Sequence, residues 1–158
     1  MNYTIRPIRC DEYHLLEDFL YEAIFIPPGV EPPSRKIIKL PELQVYIEAF
    51  GNNRGDMGFL AEVDNKVVSA AWARIMKDYG HLDDDTPSCA ISLFKEYRSY
   101  GIGTALMNNL IAFTKDAGYK RISLSVQKEN YAFHLYKKLG FEVVTETNEE
   151  FLMVNKLD

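Results

Sequence analysis

The spacing of apolar positions along this chain of 158 residues changes character several times, and each change predicts an element. Residues 3–9, YTIRPIR, alternate apolar with polar and predict a first strand. Asp11 follows as the N-cap of a helix reaching about Phe25. Five of the seven prolines fall in IPPGVEPPSRKIIKLP, residues 26–41, which rules out a long regular element there; a second helix fits Glu42 to Phe50. GFLAEVD (58–64) and KVVSAAWARIM (66–76) are β-rich runs that meet at Asp64 and Asn65, residues tolerant of left-handed backbone, and they predict an antiparallel hairpin.

Beyond the polar stretch KDYGHLDDDTPS, the run CAISLF (89–94) reads as a short strand. Ile102, Leu106, Leu110, Phe113 and Ala117 then recur at three- and four-residue spacing, so a helix is expected over Gly103–Ala117, closed by Gly118. RISLSV (121–126) returns to period two. Asn130–Leu139 carries Ala132, Leu135, Tyr136 and Leu139 on one helical face and ends at Gly140, and two last strands lie near 141–146 and 150–157. No repeat or low-complexity tract divides the chain, so residues 1–158 are expected to be a single α/β domain.

Composition narrows the function classes. Hydrophobic residues at 47% and charged residues at 26% describe a packed globular chain. A net charge of -5 argues against nucleic acid as a partner, because phosphate binding needs a concentrated basic patch; an acidic surface attracts amines instead. No apolar run approaches the roughly 20 residues of a membrane span. The start, MNYTIRPIRCDEY, lacks a signal-peptide core, so a cytoplasmic location and no membrane partner are expected. Cys10 and Cys89 form no CxxC, and His14, His81 and His134 show no ligand spacing, so no metal is expected. Trp72 on the third strand is read as core.

The candidate chemistry sits in YRSYGIGTALM, residues 97–107, where two glycines mark a strand-to-helix junction. A helix beginning there offers unpaired amides and about half a unit of positive charge, a natural seat for an anion, with Arg98 adding a full charge. There is neither a GxxxxGKS/T loop nor the third glycine of a dinucleotide fold. Arg98-Ser99-Tyr100-Gly101-Ile102-Gly103 resembles the R/Q-x-x-G-x-G/A signature of the GCN5-related N-acetyltransferase (GNAT) superfamily. The strand before it, the helix after it, RISLSV and ENYAFHLYKKLGF resemble that family's blocks in the right order over residues 89–142.

The resemblance implies a central mixed, mostly antiparallel sheet of about seven strands with about four helices, opened into a V between the fourth and fifth strands. It implies acetyl-CoA as cosubstrate. Its diphosphate would rest on the amides of Arg98, Ser99, Tyr100, Gly101, Ile102, Gly103 and Thr104, with Gly101 and Gly103 allowing close approach, and its pantetheine would pair with backbone around Leu93 and Phe94. Asn130 matches a position where the family places an amide on the cofactor arm, and it equally suits a helix N-cap. Tyr136 matches the phenol that protonates the departing thiolate, against the plainer reading of an apolar-face residue. The implied partners are acetyl-CoA and an amine acceptor, small molecule or peptide, with a homodimer as an open option. The other reading is a non-catalytic acyl-CoA-binding module.

Two departures from the family pattern matter. Lys95 replaces a frequent proline, and Ser99-Tyr100 replaces a frequent Gly-Lys or Gly-Arg pair, so one side chain expected near the phosphates is not basic. The strand SCAISLF carries no Asp or Glu, so the general base is unassigned, with Asp83, Asp84, Asp85 and Glu22 as candidates and a solvated acidic loop as the alternative. Cys89 lies where a covalent route would need it, without an evident neighbouring base.

Overall fold

A computed structural model describes residues 1–158. Seven strands form one sheet: β1 (Thr4–Pro7), β2 (Met57–Val63), β3 (Lys66–Arg74), β4 (Ser88–Leu93), β5 (Arg121–Gln127), β6 (Glu142–Glu146) and β7 (Glu150–Lys156). Their spatial order is β1-β2-β3-β4-β5-β7-β6, and every neighbouring pair is antiparallel except β4 and β5. The helices are α1 (Leu16–Ala23), α2 (Pro41–Gln44), α3 (Ile102–Asp116) and α4 (Ala132–Lys138). The expected mixed sheet, its order of elements and the left-handed Asp64-Asn65 hairpin turn are all present.

Period-two alternation assigns each strand two faces. Met57, Phe59, Ala61 and Val63 of β2, with Ile122, Leu124 and Val126 of β5, pack under α3 and α4. Leu60, Ala70 and Trp72 point the other way, against Leu16, Phe19 and Leu20 of α1. Trp72 is fully buried, as expected of a core residue, and its indole donates to the Tyr46 carbonyl at 3.0 Å.

Three elements depart from the sequence pattern for physical reasons. The first helix opens as a 3-10 turn, Cys10–Leu15, with Asp11 inside it and not at the cap. Glu12 sets that geometry, accepting the Arg9 amide at 3.0 Å and the Arg6 guanidinium at 2.6 and 2.7 Å. Those donors hold its carboxyl at about 2. The helix expected over Glu42–Phe50 stops at Gln44 and continues as turns, because the carbonyls of Val45 and Glu48 accept from Arg74 instead of a helical ladder and Ala49 is left-handed. On α3 the buried stripe is Ile102, Leu106, Met107, Leu110 and Thr114, while Phe113 is half exposed and Ala117 lies on the surface. Thr114 tolerates burial by donating to the Leu110 carbonyl at 2.7 Å.

Arg74 also meets Asp56 at 3.0 Å, with both side chains almost wholly buried, and Asp56 accepts the Gly51 and Asn53 amides. Removing one member leaves a charge buried without its partner. Asp56→Asn is expected to lower unfolding stability by about 3–5 kcal/mol, measured by urea denaturation; a loss below about 1 kcal/mol would contradict this account.

Candidate active site

The site is organised by the place where β4 and β5 part. Ser88 and Ser123 are their one pair in register, closed by the Ser123 amide donating to the Pro87 carbonyl at 3.0 Å. Beyond it the strands diverge, each keeping only its outer neighbour. The Phe94 amide donates to the Val68 carbonyl of β3 at 3.1 Å. Alternation along an antiparallel ladder therefore turns the backbone groups of Cys89, Ile91 and Leu93 toward the opening. The Leu93 carbonyl accepts from Arg98 Nε at 3.3 Å. Phe94 corrects the expectation: its amide belongs to β3, and its contribution is a ring stacked on Phe19 at 4.9 Å.

At the far end of β4 a 3-10 turn, Lys95–Tyr97, leads into the loop that starts α3. Ser99 (φ 69°) and Gly101 (φ 84°) are both left-handed, and Gly101, with open space where a side chain would lie, is the N-cap of α3. This backbone path leaves the amides from Ser99 to Thr104 without an acceptor in the protein. A row of such donors at a helix N-terminus fits a diphosphate. Gly103 differs from the expected open approach, since a Cβ there would face Leu93, Ile91 and Leu135 at 3.5–3.8 Å. Arg98 divides its guanidinium between Leu93 and Glu22, whose carboxylate is 3.7 Å away. Tyr100 is half exposed. Asn130 Oδ1 accepts the Ala132 amide at 2.9 Å, so the side chain caps the start of α4.

Tyr136, on the inner face of α4, is buried with its ring edge-on to Phe141. Burial and the neighbouring Cys89 thiol push the phenol pKa up. Burial likewise pushes up the Cys89 thiol, with the negative charge of Asp78 adding to it. A buried neutral thiol is a poor nucleophile, which weighs against a covalent route.

The acidic candidates are differently employed. Asp83 accepts from Thr86 and the Asp85 amide at 2.8 and 2.9 Å and pairs with Arg121 at 2.6 Å; these partners, Thr86 foremost, hold its carboxyl below the usual range. Asp84 is exposed beside His81, and His81 Nδ1 sits 2.8 Å from the Met76 carbonyl. The Asp83–Asp85 run organises its own turn and is not drawn to the opening.

The residue that sequence reasoning missed is Asp78. It lies on the face of the sheet that carries α1, at the point where β4 and β5 meet. Burial pushes its carboxyl pKa up, against the Ser88 hydroxyl, the Gly80 amide and the Tyr46 hydroxyl that lie around it. Two atoms there, Asp78 Oδ1 and Ser88 Oγ, are buried without a hydrogen-bond partner. The loop is fixed by Gly80, whose carbonyl accepts Ser123 Oγ at 2.6 Å and whose Cα has the Leu124 and Ser125 backbone where a Cβ would stand, 3.0 Å from it. In the sequence this was a lone acid two residues before a glycine, overshadowed by the three aspartates downstream.

Residues 18–141 match the model of the Acetyltransferase (GNAT) family, and the chain belongs to that family. It is 35% identical over 95 residues to an N-alpha-acetyltransferase of Sulfurisphaera tokodaii, covering 54% of this chain and 56% of that one. It is also 35% identical over 101 residues to the "Probable N-acetyltransferase san" of Drosophila melanogaster, covering 61% and 52%. The matches thus span about half the length of these curated relatives. The fold is that of the PaiA N-acetyltransferase of Thermoplasma acidophilum solved in complex with coenzyme A (TM-score 0.73, 20% identity, 99% of each chain covered).

The burial of Cys89 and exposure of Cys10 give a direct check. Brief iodoacetamide treatment of the native protein at pH 8, read by peptide mass spectrometry, is expected to modify Cys10 and leave Cys89 intact until denaturant is added. Equal labelling of both would refute the enclosed environment assigned to Cys89.

Proposed function

We propose that residues 1–158 act as one domain that transfers the acetyl group of acetyl-CoA to a primary amine of a small molecule or peptide, by direct attack of the amine. The observation that carries this reading is the row of unpaired amides from Ser99 to Thr104 at the open end of the β4/β5 split. The diphosphate of acetyl-CoA would be held there, by Arg98 through Thr104, with Ile91 and Leu93 offering strand edge to the pantetheine and Asn130 bordering it. A thioester supplies an activated acyl carbon and a thiol leaving group.

Tyr136 acts at the closed end. A thiol has a reference pKa near 8.5, below a phenol's ordinary value near 10 and further below a buried one, so Tyr136 stays protonated and donates to the sulfur as charge develops. The acceptor enters from the α1 side, between the proline-rich loop after Phe25 and the loop of Tyr79 and His81. The name of the Sulfurisphaera tokodaii relative favours a peptide α-amine among the acceptor classes.

Calorimetric titration with acetyl-CoA, followed by measured CoA release against a panel of peptides with free N-termini, polyamines and simple alkylamines, tests the proposal. Binding with amine-dependent release is the expected result. Binding without release from any amine would make the protein an acyl-CoA-binding module, and absence of binding would remove the reading altogether. Tyr136→Phe is expected to bind acetyl-CoA within about twofold of wild type and turn over about 10²-fold more slowly; unchanged turnover would strip the phenol of its role.

A further inference from the structure

The α1-side cluster at the closed end of the split has the composition of a proton-accepting amine site, and it involves none of the residues that hold acetyl-CoA. Ser88 and Ser123 close the split, and Ser88 points toward α1 along with Ala90 and Ser92, the last donating to the Phe19 carbonyl at 2.6 Å. Cys89 points the opposite way, into the core that contains Tyr136. Asp78 and Tyr136 therefore approach the same strand position from opposite faces of the sheet. The Cys89 thiol lies between them: burial is the main cause of the raised pKa of both thiol and phenol, with Asp78 adding to the first and Cys89 to the second.

Buried polar atoms in native proteins are nearly always paired, and an orphan invites a ligand or water. Here the two orphans, Asp78 Oδ1 and Ser88 Oγ, belong to neighbouring groups, one a carboxylate acceptor and the other a hydroxyl that both donates and accepts. An ammonium presents up to three donors and would satisfy both. Ser88 is 1% exposed, so the hydroxyl has no access to bulk water. Tyr46 completes the wall. It is held by the Trp72 indole on its carbonyl and by Arg74 on the carbonyls of Val45 and Glu48, the same contacts that end α2 early.

We propose that Asp78 is the general base of acetyl transfer, with Ser88 and Tyr46 seating the incoming amine. The proposal rests on the acetyl-transfer reading and adds its missing residue. The Asp78 carboxylate takes one proton from the ammonium, and the freed lone pair forms the C–N bond to the acyl carbon. The C–S bond breaks with its electron pair on sulfur, which receives the Tyr136 proton. The second proton released by nitrogen returns to the phenolate, and the proton on Asp78 leaves to solvent. The net reaction is ammonium plus thioester to amide, thiol and one proton. Burial raises the carboxyl pKa, which makes its ionised form a stronger base than an exposed aspartate. The titratable groups facing it are the Tyr46 phenol and the Cys89 thiol, both driven upward by burial and so neutral across the working range. His81, on the same loop, is turned to Met76 and Asp84.

The test is Asp78→Asn, which preserves shape, with Asp78→Glu and Ser88→Ala beside it, each checked for wild-type folding by circular dichroism. For the amine that turns over fastest in the panel, Asp78→Asn is expected to lower kcat/KM by about 10²-fold or more, keep acetyl-CoA affinity within about twofold, and abolish the acidic limb of the pH profile. Asp78→Glu should restore part of the rate with an acidic limb, and Ser88→Ala should raise KM for the amine more than it lowers kcat. A second readout needs no acetyl-CoA: the Asp78 side-chain carbon, assigned in NMR spectra by its absence from Asp78→Asn, is expected to shift on addition of that amine. Asp78→Asn turning over within about threefold of wild type with its acidic limb intact, or an Asp78 resonance indifferent to the amine, would overturn the proposal alone. A wild type that neither binds acetyl-CoA nor releases CoA would overturn the acetyl-transfer reading and this assignment with it.

Discussion

The structure depends on one interrupted ladder. A sheet is stabilised by pairing every backbone group along its strands, and buried amides and carbonyls left unpaired are costly. Here the pairing of β4 with β5 stops after Ser88 and Ser123, although both strands run on for several residues. An edge left open in the middle of a sheet needs support from both sides. On one face Gly80 wedges against the backbone of Leu124 and Ser125, which only a residue without a side chain permits. On the other, α3 and α4 pack across the two strands through Ile102, Leu106 and Tyr136. The parting of the strands thereby becomes a fixed feature of the fold, and it leaves an open strand edge of the kind an extended ligand can pair with.

The same parting decides where charge resides. The loop leaving β4 takes left-handed backbone at Ser99 and Gly101, so its amides and those of the first turn of α3 face outward together. Arg98 sits beside them but is shared with Glu22 and Leu93, so much of the positive potential at this helix start comes from neutral amides. Deep buried charge is kept elsewhere. The Arg74–Asp56 pair anchors the turns after α2 and lets the Arg74 guanidinium draw in the carbonyls of Val45 and Glu48. Tyr46, in those turns, reaches the closed end of the split through this anchoring, a link between a structural ion pair and the site that no local pattern reveals.

What was legible in the sequence follows from range. The alternation of β2 and β3, the Asp64-Asn65 turn and the extent of α3 are properties of neighbouring residues, and they appear where the pattern placed them, although the buried stripe of α3 is shifted away from Phe113 and Ala117. The glycine junction and the R-x-x-G-x-G run were legible for the same reason. The short α2 was not, because the carbonyls of Val45, Tyr46 and Glu48 just beyond it are claimed by Arg74 and Trp72 of β3, 26 to 29 residues along the chain, and that competition is tertiary. Asp78 was hidden in the same way. Its significance comes from Tyr46, Ser88 and Gly80, three residues drawn together by the parting of the strands, whereas the conspicuous Asp83 is satisfied locally by Thr86 and Arg121.

In the proposed reaction, the two faces of the sheet also separate two proton-transfer tasks that would interfere if they shared one environment. A group that must accept a proton from an amine and a group that must give one to a thiolate neutralise each other if they touch. β4 keeps them apart by its pleat: Ser88 faces Asp78 on one side, and Cys89, one residue on, faces Tyr136 on the other. Burial acts on both in the same sense. It disfavours the charged form of each, making the carboxylate a stronger base and keeping the phenol protonated, which is what the proposed division into a base and an acid requires.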